Sequence, residues 1–242
     1  MTPKSEVLFI ADLHLALEKN DITRRFLRFL AERAVSAGRL YILGDLFDAW
    51  VGDDDNTPPI KAVKNALKAL AASGTAVFLQ QGNRDFLLES AFCKETGVTL
   101  LGEYCVIDLQ GAVLLTHGDL LCSDDLPYQA FRLKAHSPDW RRQVLSKPLW
   151  LRLLGARWYR LRSYWHKRNK SLEIMDVNQA TVAAVMQKFN CRTLVHGHTH
   201  RPARHEFLLG GRPATRFVLA DWKNSGAEVL CWNNGVWSSE KI

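Results

Sequence analysis

Short apolar runs alternate with helix-period stretches through the first half of the chain, and each run ends on a polar cluster. Residues 7–11 are uninterrupted by polar groups and stop at Asp12, which predicts a strand. Residues 21–37 place Phe26, Leu27, Leu30 and Ala34 on one face, with Gly38 as the stop, and predict an amphipathic helix. Residues 40–43 predict a second strand, ending at Gly44-Asp45. Pro58-Pro59 open a helix that reaches Ser73 before Gly74. Residues 77–79 predict a third strand, which runs into Gly82-Asn83-Arg84-Asp85. Residues 112–116 and 193–195 predict two more, ending at His117-Gly118-Asp119 and at His196-Gly197-His198-Thr199-His200. The last forty residues read as antiparallel strands at 206–209, 217–219, 228–232 and 235–237, with turns at Gly210-Gly211 and Asn233-Asn234. Residues 126–170 depart from this pattern. They are rich in helix formers and aromatics, are punctuated by Pro127, Pro138 and Pro148, and predict several helices forming a lid beside the strand ends. The class is α/β, with a core at 1–125 and 171–242 and a helical insertion between them.

The polar clusters matter because they share one place. Each follows the C-terminal end of a strand, where open α/β sheets gather ligands. Asp12, His14, Asp45, Asn83, His117, His198 and His200 together offer imidazoles, carboxylates and an amide oxygen. That donor set suits a pair of divalent metals, which can clamp a phosphoryl group and acidify a water. Taken singly, each residue has an ordinary reading. Asp45 fits a turn, Asn83 an Asx-turn and His117 a capped strand end. His198 and His200 are stronger, because they alternate around Thr199 and project the same way from an extended segment. The conjunction of five clusters, all at strand ends, carries the metal reading. His196 and Asp119 fall beside ligands and are expected to hold them by hydrogen bonds. Arg84 either reaches a phosphate with its planar fork or pairs with Asp85.

Composition narrows the setting. The 242 residues fit one large domain, or a core with an insertion. The five cysteines are scattered, with no C-x-x-C pair, which excludes a disulfide framework and a thiolate zinc site and points to a reducing compartment. No run approaches a bilayer span, and the apolar stretch at 7–11 is too short for a signal peptide, so a cytoplasmic protein is expected. The net charge of +7 is concentrated in one place. Residues 132–170 carry twelve Lys or Arg and a single acid, Asp139, a net +11 that leaves the remainder at −4. A basic insertion implies a polyanionic partner, either nucleic acid or an anionic lipid surface.

The ordered motifs D-x-H, G-D, G-N-R-D, H-G-D and G-H-T-H resemble those of the calcineurin-like metallophosphoesterase superfamily. The resemblance implies a four-layer αββα sandwich with the helical insertion as a cap. It implies that Asp12, His14 and His200 bind one metal and Asn83, His117 and His198 the other, with Asp45 bridging. Asp45, Asn83, Arg84 and His117 form the catalytic set in this reading.

Longer strings narrow the resemblance. Residues 9–15, 41–55, 82–88, 128–132 and 174–178 are similar to the pyrophosphatases that act on UDP-2,3-diacylglucosamine in Gram-negative lipid A synthesis. That likeness implies Mn²⁺ as the metal, hydrolysis to UMP and the diacylated sugar 1-phosphate, and attack on the uridine-side phosphorus. It also implies headgroup contacts from Asn83, Arg84, Asp125, Ser163, Lys167, Lys170 and His198, and peripheral association with the cytoplasmic face of the inner membrane. No nucleic-acid partner and a monomeric chain are expected. In the insertion, Trp150, Leu153, Leu154, Trp158, Leu161 and Trp165 recur at three- and four-residue spacing among Arg152, Arg157, Arg160 and Lys167. Such a segment either lays its apolar face on a membrane or packs that face on the core and solvates the basic one. Two other functions stay open: a nuclease on the same scaffold, and a non-catalytic scaffold, which would be expected to have lost ligands.

Overall fold

The computed structural model describes residues 5–16, 21–167 and 176–242, with side chains described outside 159–167. The elements run β1 (Val7–Ile10), α1 (Asp21–Glu32), β2 (Arg39–Leu43), α2 (Pro58–Ala72), β3 (Ala76–Gln80), α3 (Ser90–Thr96) and β4 (Thr99–Leu100). They continue with β5 (Cys105–Asp108), β6 (Ala112–Leu115), α4 (Leu126–Ala135), α5 (Pro138–Leu145), α6 (Leu149–Lys167) and α7 (Gln179–Lys188). The chain closes with β7 (Thr193–His196), β8 (Ala203–Leu209), β9 (Arg212–Val218), β10 (Glu228–Asn233) and β11 (Val236–Lys241).

One sheet has the order β11-β10-β1-β2-β3-β4, the other β5-β6-β7-β9-β8. Side-chain alternation along a strand explains the layers. On β1 and β2, Leu8, Ile10, Leu40 and Ile42 point to a core shared with Phe26 and Phe29 of α1, Val63 and Leu67 of α2, and Phe92 of α3. Their neighbours Val7, Phe9, Tyr41 and Leu43 point the other way, against Val113, Leu115, Val195 and Phe217 of the second sheet. That sheet's outer face, with Leu114 and Leu194, is covered by Val182 and Met186 of α7. The layers are therefore helix, sheet, sheet, helix, the αββα sandwich. Strands buried on both faces account for the unbroken apolar runs.

The turn predicted at Gly210-Gly211 is present, and the one predicted at Asn233-Asn234 lies one residue later, because Asn233 still pairs with Val236. β8 and β9 close through Gly210 and Gly211, and β10 and β11 through Asn234 and Gly235, all with positive φ. This is the backbone that tight hairpins require. The first helix is shorter than expected. It ends at Glu32, and a 3₁₀ turn over Ala34–Ser36 follows. Arg33 is held by Glu6 at 2.7 Å and Glu240 at 2.8 Å, and the Gly38 N–H donates to the Glu6 carbonyl, so the chain is drawn straight into β2. All five cysteines are free thiols.

Residues 126–167 form three helices joined to the core at discrete points. Arg132 pairs with Asp119 at 2.6 Å and Glu103 at 2.8 Å, and Arg141 with Glu89 at 3.2 Å. Arg152 donates to the Val51 and Lys147 carbonyls and to both oxygens of Asp54. Trp150, Leu154 and Trp158 are 63%, 52% and 62% exposed. Among the described residues of α6, then, much of the apolar stripe is exposed while Leu153 is half-buried, and the basic residue Arg152 is buried. No helix among the described residues is long and apolar enough to cross a membrane.

Candidate metal centre

The strand-end loops are bonded to one another through their backbones. The N–H groups of Asp12, His14 and Leu15 donate to the carbonyls of Gly44, Asp45 and Leu46, so β1 and β2 stay paired beyond their regular ends. The Gly197 N–H donates to the His117 carbonyl at 2.8 Å, which joins the last loop to the fourth. Asp85 is fully buried and accepts from the N–H groups of Gly82, Leu46 and Phe47. It therefore ties the third loop to the second and is not the partner of the Arg84 guanidinium.

This framework converges all seven expected ligands. The Nε2 atoms of His14 and His200 are 3.2 Å apart, and Asp12 Oδ1 is 3.4 Å from the latter. On the other side, Asn83 Oδ1 lies 3.2 Å from His117 Nε2 and 3.0 Å from His198 Nδ1. Asp45 sits between the groups. Its Oδ2 is 3.7 Å from His14 Nδ1 and its Oδ1 3.8 Å from His117 Nε2. Asp12, His14, Asp45, His198 and His200 all have positive φ, five of the eight described non-glycine residues that do. Such backbone is uncommon outside glycine, though Asp and His adopt it more readily than most, and it clusters at functional sites. Glycines clear the space between ligands. A Cβ on Gly82 would lie 2.2 Å from Asp45 Oδ1, and one on Gly197 would lie 2.4 Å from Asp12 Oδ2.

The geometry fits divalent cations. Asp12 Oδ1 and His14 Nδ1 are buried without a hydrogen-bond partner, which is costly unless another ligand satisfies them. Two converging sets, Asp12 with His14 and His200, and Asp12 with Asp45 and His117, bring their donor atoms within 4.8 Å of one another. Only nitrogen and oxygen donors are present in either set.

A model of the calcineurin-like phosphoesterase family matches residues 5–202. The chain belongs to this family. Members bind two divalent metals. Similar proteins extend the likeness beyond the family model. The UDP-2,3-diacylglucosamine hydrolase of Salmonella typhi is 51% identical over 223 residues, spanning 92% of this chain and 93% of its own. The Vibrio vulnificus protein of the same name is 48% identical over 232 residues, 94% of each chain. That of Aliivibrio fischeri is 46% identical over 237 residues, 97% of this chain and 98% of its own.

The electrostatics of this phosphoesterase centre separate its histidines. Burial pushes His14 and His198 down to about 3, outweighing their neighbouring carboxylates, so both are neutral and able to ligate. His117 is also buried, but Asp45, Asp12 and Asp119 hold it above the usual imidazole range. Burial raises Asp45 despite the His117 charge. Cation binding therefore competes with protons at these two groups. His117 Nδ1–H donates to the Leu43 carbonyl at 2.8 Å, which leaves Nε2 for a cation.

The remaining expected residues occupy mixed positions. The Arg84 N–H donates to Asp45 Oδ1 at 2.8 Å, and its guanidinium lies 3.9 Å from Asp48, with its charge felt at His14 and Asp45. Asp125 caps α4 by accepting from the Tyr128 N–H at 3.2 Å. The side chains of Ser163 and Lys167, and the whole of Lys170, lie outside the described residues. Neither His196 nor Asp119 bonds a ligand side chain in the described contacts. His196 contacts the Gly197 carbonyl and Arg216, while Asp119 accepts from Tyr128 and Arg132 of α4, both at 2.6 Å. Both residues are turned away because their partners, on β9 and α4, lie behind the loops.

The sequence reading missed Asp221, 3.5 Å from His200 Nδ1. Its signal is present, since residues 217–220 repeat the pattern of an apolar run that ends on an acid. Arg216 and Asp48 carry no comparable signal.

Proposed function

We propose that the protein cleaves the pyrophosphate bond of UDP-2,3-diacylglucosamine, giving UMP and 2,3-diacylglucosamine 1-phosphate in lipid A biosynthesis. The observation that supports it is the convergence of Asp12, His14, Asp45, His117 and His200 into two overlapping groups able to hold metal ions, in a chain that aligns over more than nine-tenths of its length with relatives named for that substrate. The nuclease and scaffold readings have no such support, and a scaffold has no need of a full ligand set.

Bound divalent ions, which we assign as Mn²⁺ from the family resemblance, would supply Lewis acidity and an acidified water. The residues of the chain supply the rest. Asp45 presents one carboxylate oxygen to each side of the centre. Neutral His14 and His198 complete the ligand set without adding negative charge that would repel a pyrophosphate. Arg84, next to the ligand Asn83, neutralises the pyrophosphate with its planar fork. A sugar phosphate leaves as a stable anion, so no strong general acid is required. Residues 126–170 serve as the cap over the acyl chains. Asp125, Ser163, Lys167 and Lys170 contact the headgroup together with Asn83, Arg84 and His198. The exposed Trp150, Leu154 and Trp158 seat a monomeric chain on the cytoplasmic face of the inner membrane, and nucleic acid is not a partner.

The test is a product assay in ¹⁸O-labelled water with Mn²⁺. We expect UMP carrying the label, because attack falls on the uridine-side phosphorus. UDP as the nucleotide product would overturn the reading, and label in the sugar phosphate would reverse the site of attack.

A further inference from the structure

One pair of buried groups behind the metal loops has no part in the scheme above. Arg216 on β9 is only 3% exposed, and its guanidinium lies 3.1 Å from Nε2 of the fully buried His196 at the end of β7. Arginine carries donors and no acceptor. His196 Nε2 must therefore accept, and the ring proton is on Nδ1, which donates to the Gly197 carbonyl at 2.8 Å. Among the described residues no carboxylate forms an ion pair with Arg216, and its Nε is buried without a partner. A guanidinium buried this way is costly, so its value lies in what it controls.

What it controls is one peptide. The Gly197 carbonyl accepts from both His196 Nδ1 and the Thr199 N–H, the latter at 2.9 Å. The Gly197 N–H donates to the His117 carbonyl, and the next N–H, of His198, donates to Asp12 Oδ2 at 2.7 Å. Beyond that peptide the backbone enters the left-handed region at His198 and again at His200, with φ of 70° and 55°. Both are metal ligands. A flipped imidazole tautomer would place an acceptor against the Gly197 carbonyl and push the turn off its geometry.

We propose that Arg216 is a positioning residue for the metal centre. It locks His196 in the Nδ1–H tautomer, and through it fixes the Gly197 peptide that presents His198 and His200. The role concerns cation binding and stands whichever substrate is cleaved.

Mn²⁺ titration against a chelating dye, with no substrate present, tests it. Arg216→Met keeps the apolar stem and removes the donors; it should weaken Mn²⁺ affinity by about tenfold, the scale of losing an outer partner of a ligand. His196→Asn can turn its amide NH2 to the Gly197 carbonyl by side-chain rotation, so there is no ring tautomer to set. The double variant Arg216→Met/His196→Asn should recover affinity to within about threefold of the unaltered protein, a non-additive result. A merely structural role for Arg216 predicts no rescue. Where Arg216→Met alone does not fold, the double variant and Arg216→Lys, which retains a donor, carry the same comparison. Unchanged affinity in folded Arg216→Met, or a double variant as weak as the single, overturns the proposal.

Discussion

The ligand loops of the core and the helices of the insertion approach the same strand ends, but different interactions hold them. In the loops the bonds run through the backbone. Asp12, His14 and Leu15 pair with Gly44, Asp45 and Leu46, and Asp85 gathers three N–H groups. Gly82 and Gly197 leave no room for even one more carbon. In the insertion a few guanidinium groups, those of Arg132, Arg141 and Arg152, make the fastenings, while Trp150, Leu154 and Trp158 remain exposed. The difference teaches that the chain's own backbone bonds shape the ligand loops, whereas α6 is moored at points and leaves Trp150 and Leu154 exposed.

Two substitutions probe that contrast. The larger effect is expected in the loops. Gly82→Ala drives a Cβ to 2.2 Å from Asp45 Oδ1. Something must shift, and a displacement on the scale of 1 Å at a reacting centre costs about a hundredfold in kcat. Steady-state turnover measures it, and near-normal kcat would show that the loops yield more than their bonding implies.

The smaller effect is expected in the insertion. Arg152→Ala removes the donors to Val51, Lys147 and Asp54. Asp54 is 58% exposed and solvent takes over its charge. The loss is therefore nearer the ~1 kcal/mol of an exposed pair than that of a buried one, or about fivefold. It should fall on KM for the lipid substrate and leave hydrolysis of a small soluble phosphodiester unchanged. An equal loss on both substrates would mean that α6 supports the metal loops themselves.

The same contrast decides what could be read from the sequence. The metal site was legible because strands buried on both faces contain no polar interruptions, so each polar cluster marks a strand end. All seven residues proposed as ligands follow that rule, and Asp221 does too. The four-layer order was implied only by the family resemblance; in the structure alternate residues on β1 and β2 serve two different cores. The insertion was less legible. Helical spacing shows that α6 has an apolar stripe, but not that Arg152 turns inward to the 51–54 loop while Trp150 turns outward. Long-range pairing was invisible as well. Arg216 stands opposite Leu194 only because β7 pairs with β9, which brings its guanidinium to His196. The helix α7 has a capping Asn178 and apolar Val182 and Met186 four apart, but its alanines blur the face.

Asp45 is the residue on which the centre depends, since its two oxygens face opposite donor groups. Mn²⁺ stoichiometry, read by equilibrium dialysis of the unaltered protein and of Asp45→Ala, tests that most directly. The account predicts two ions per chain in the unaltered protein, as in its family, and loss of at least one in a folded Asp45→Ala. An unaltered protein that binds a single ion, or a variant that still binds both with undiminished affinity, would contradict it.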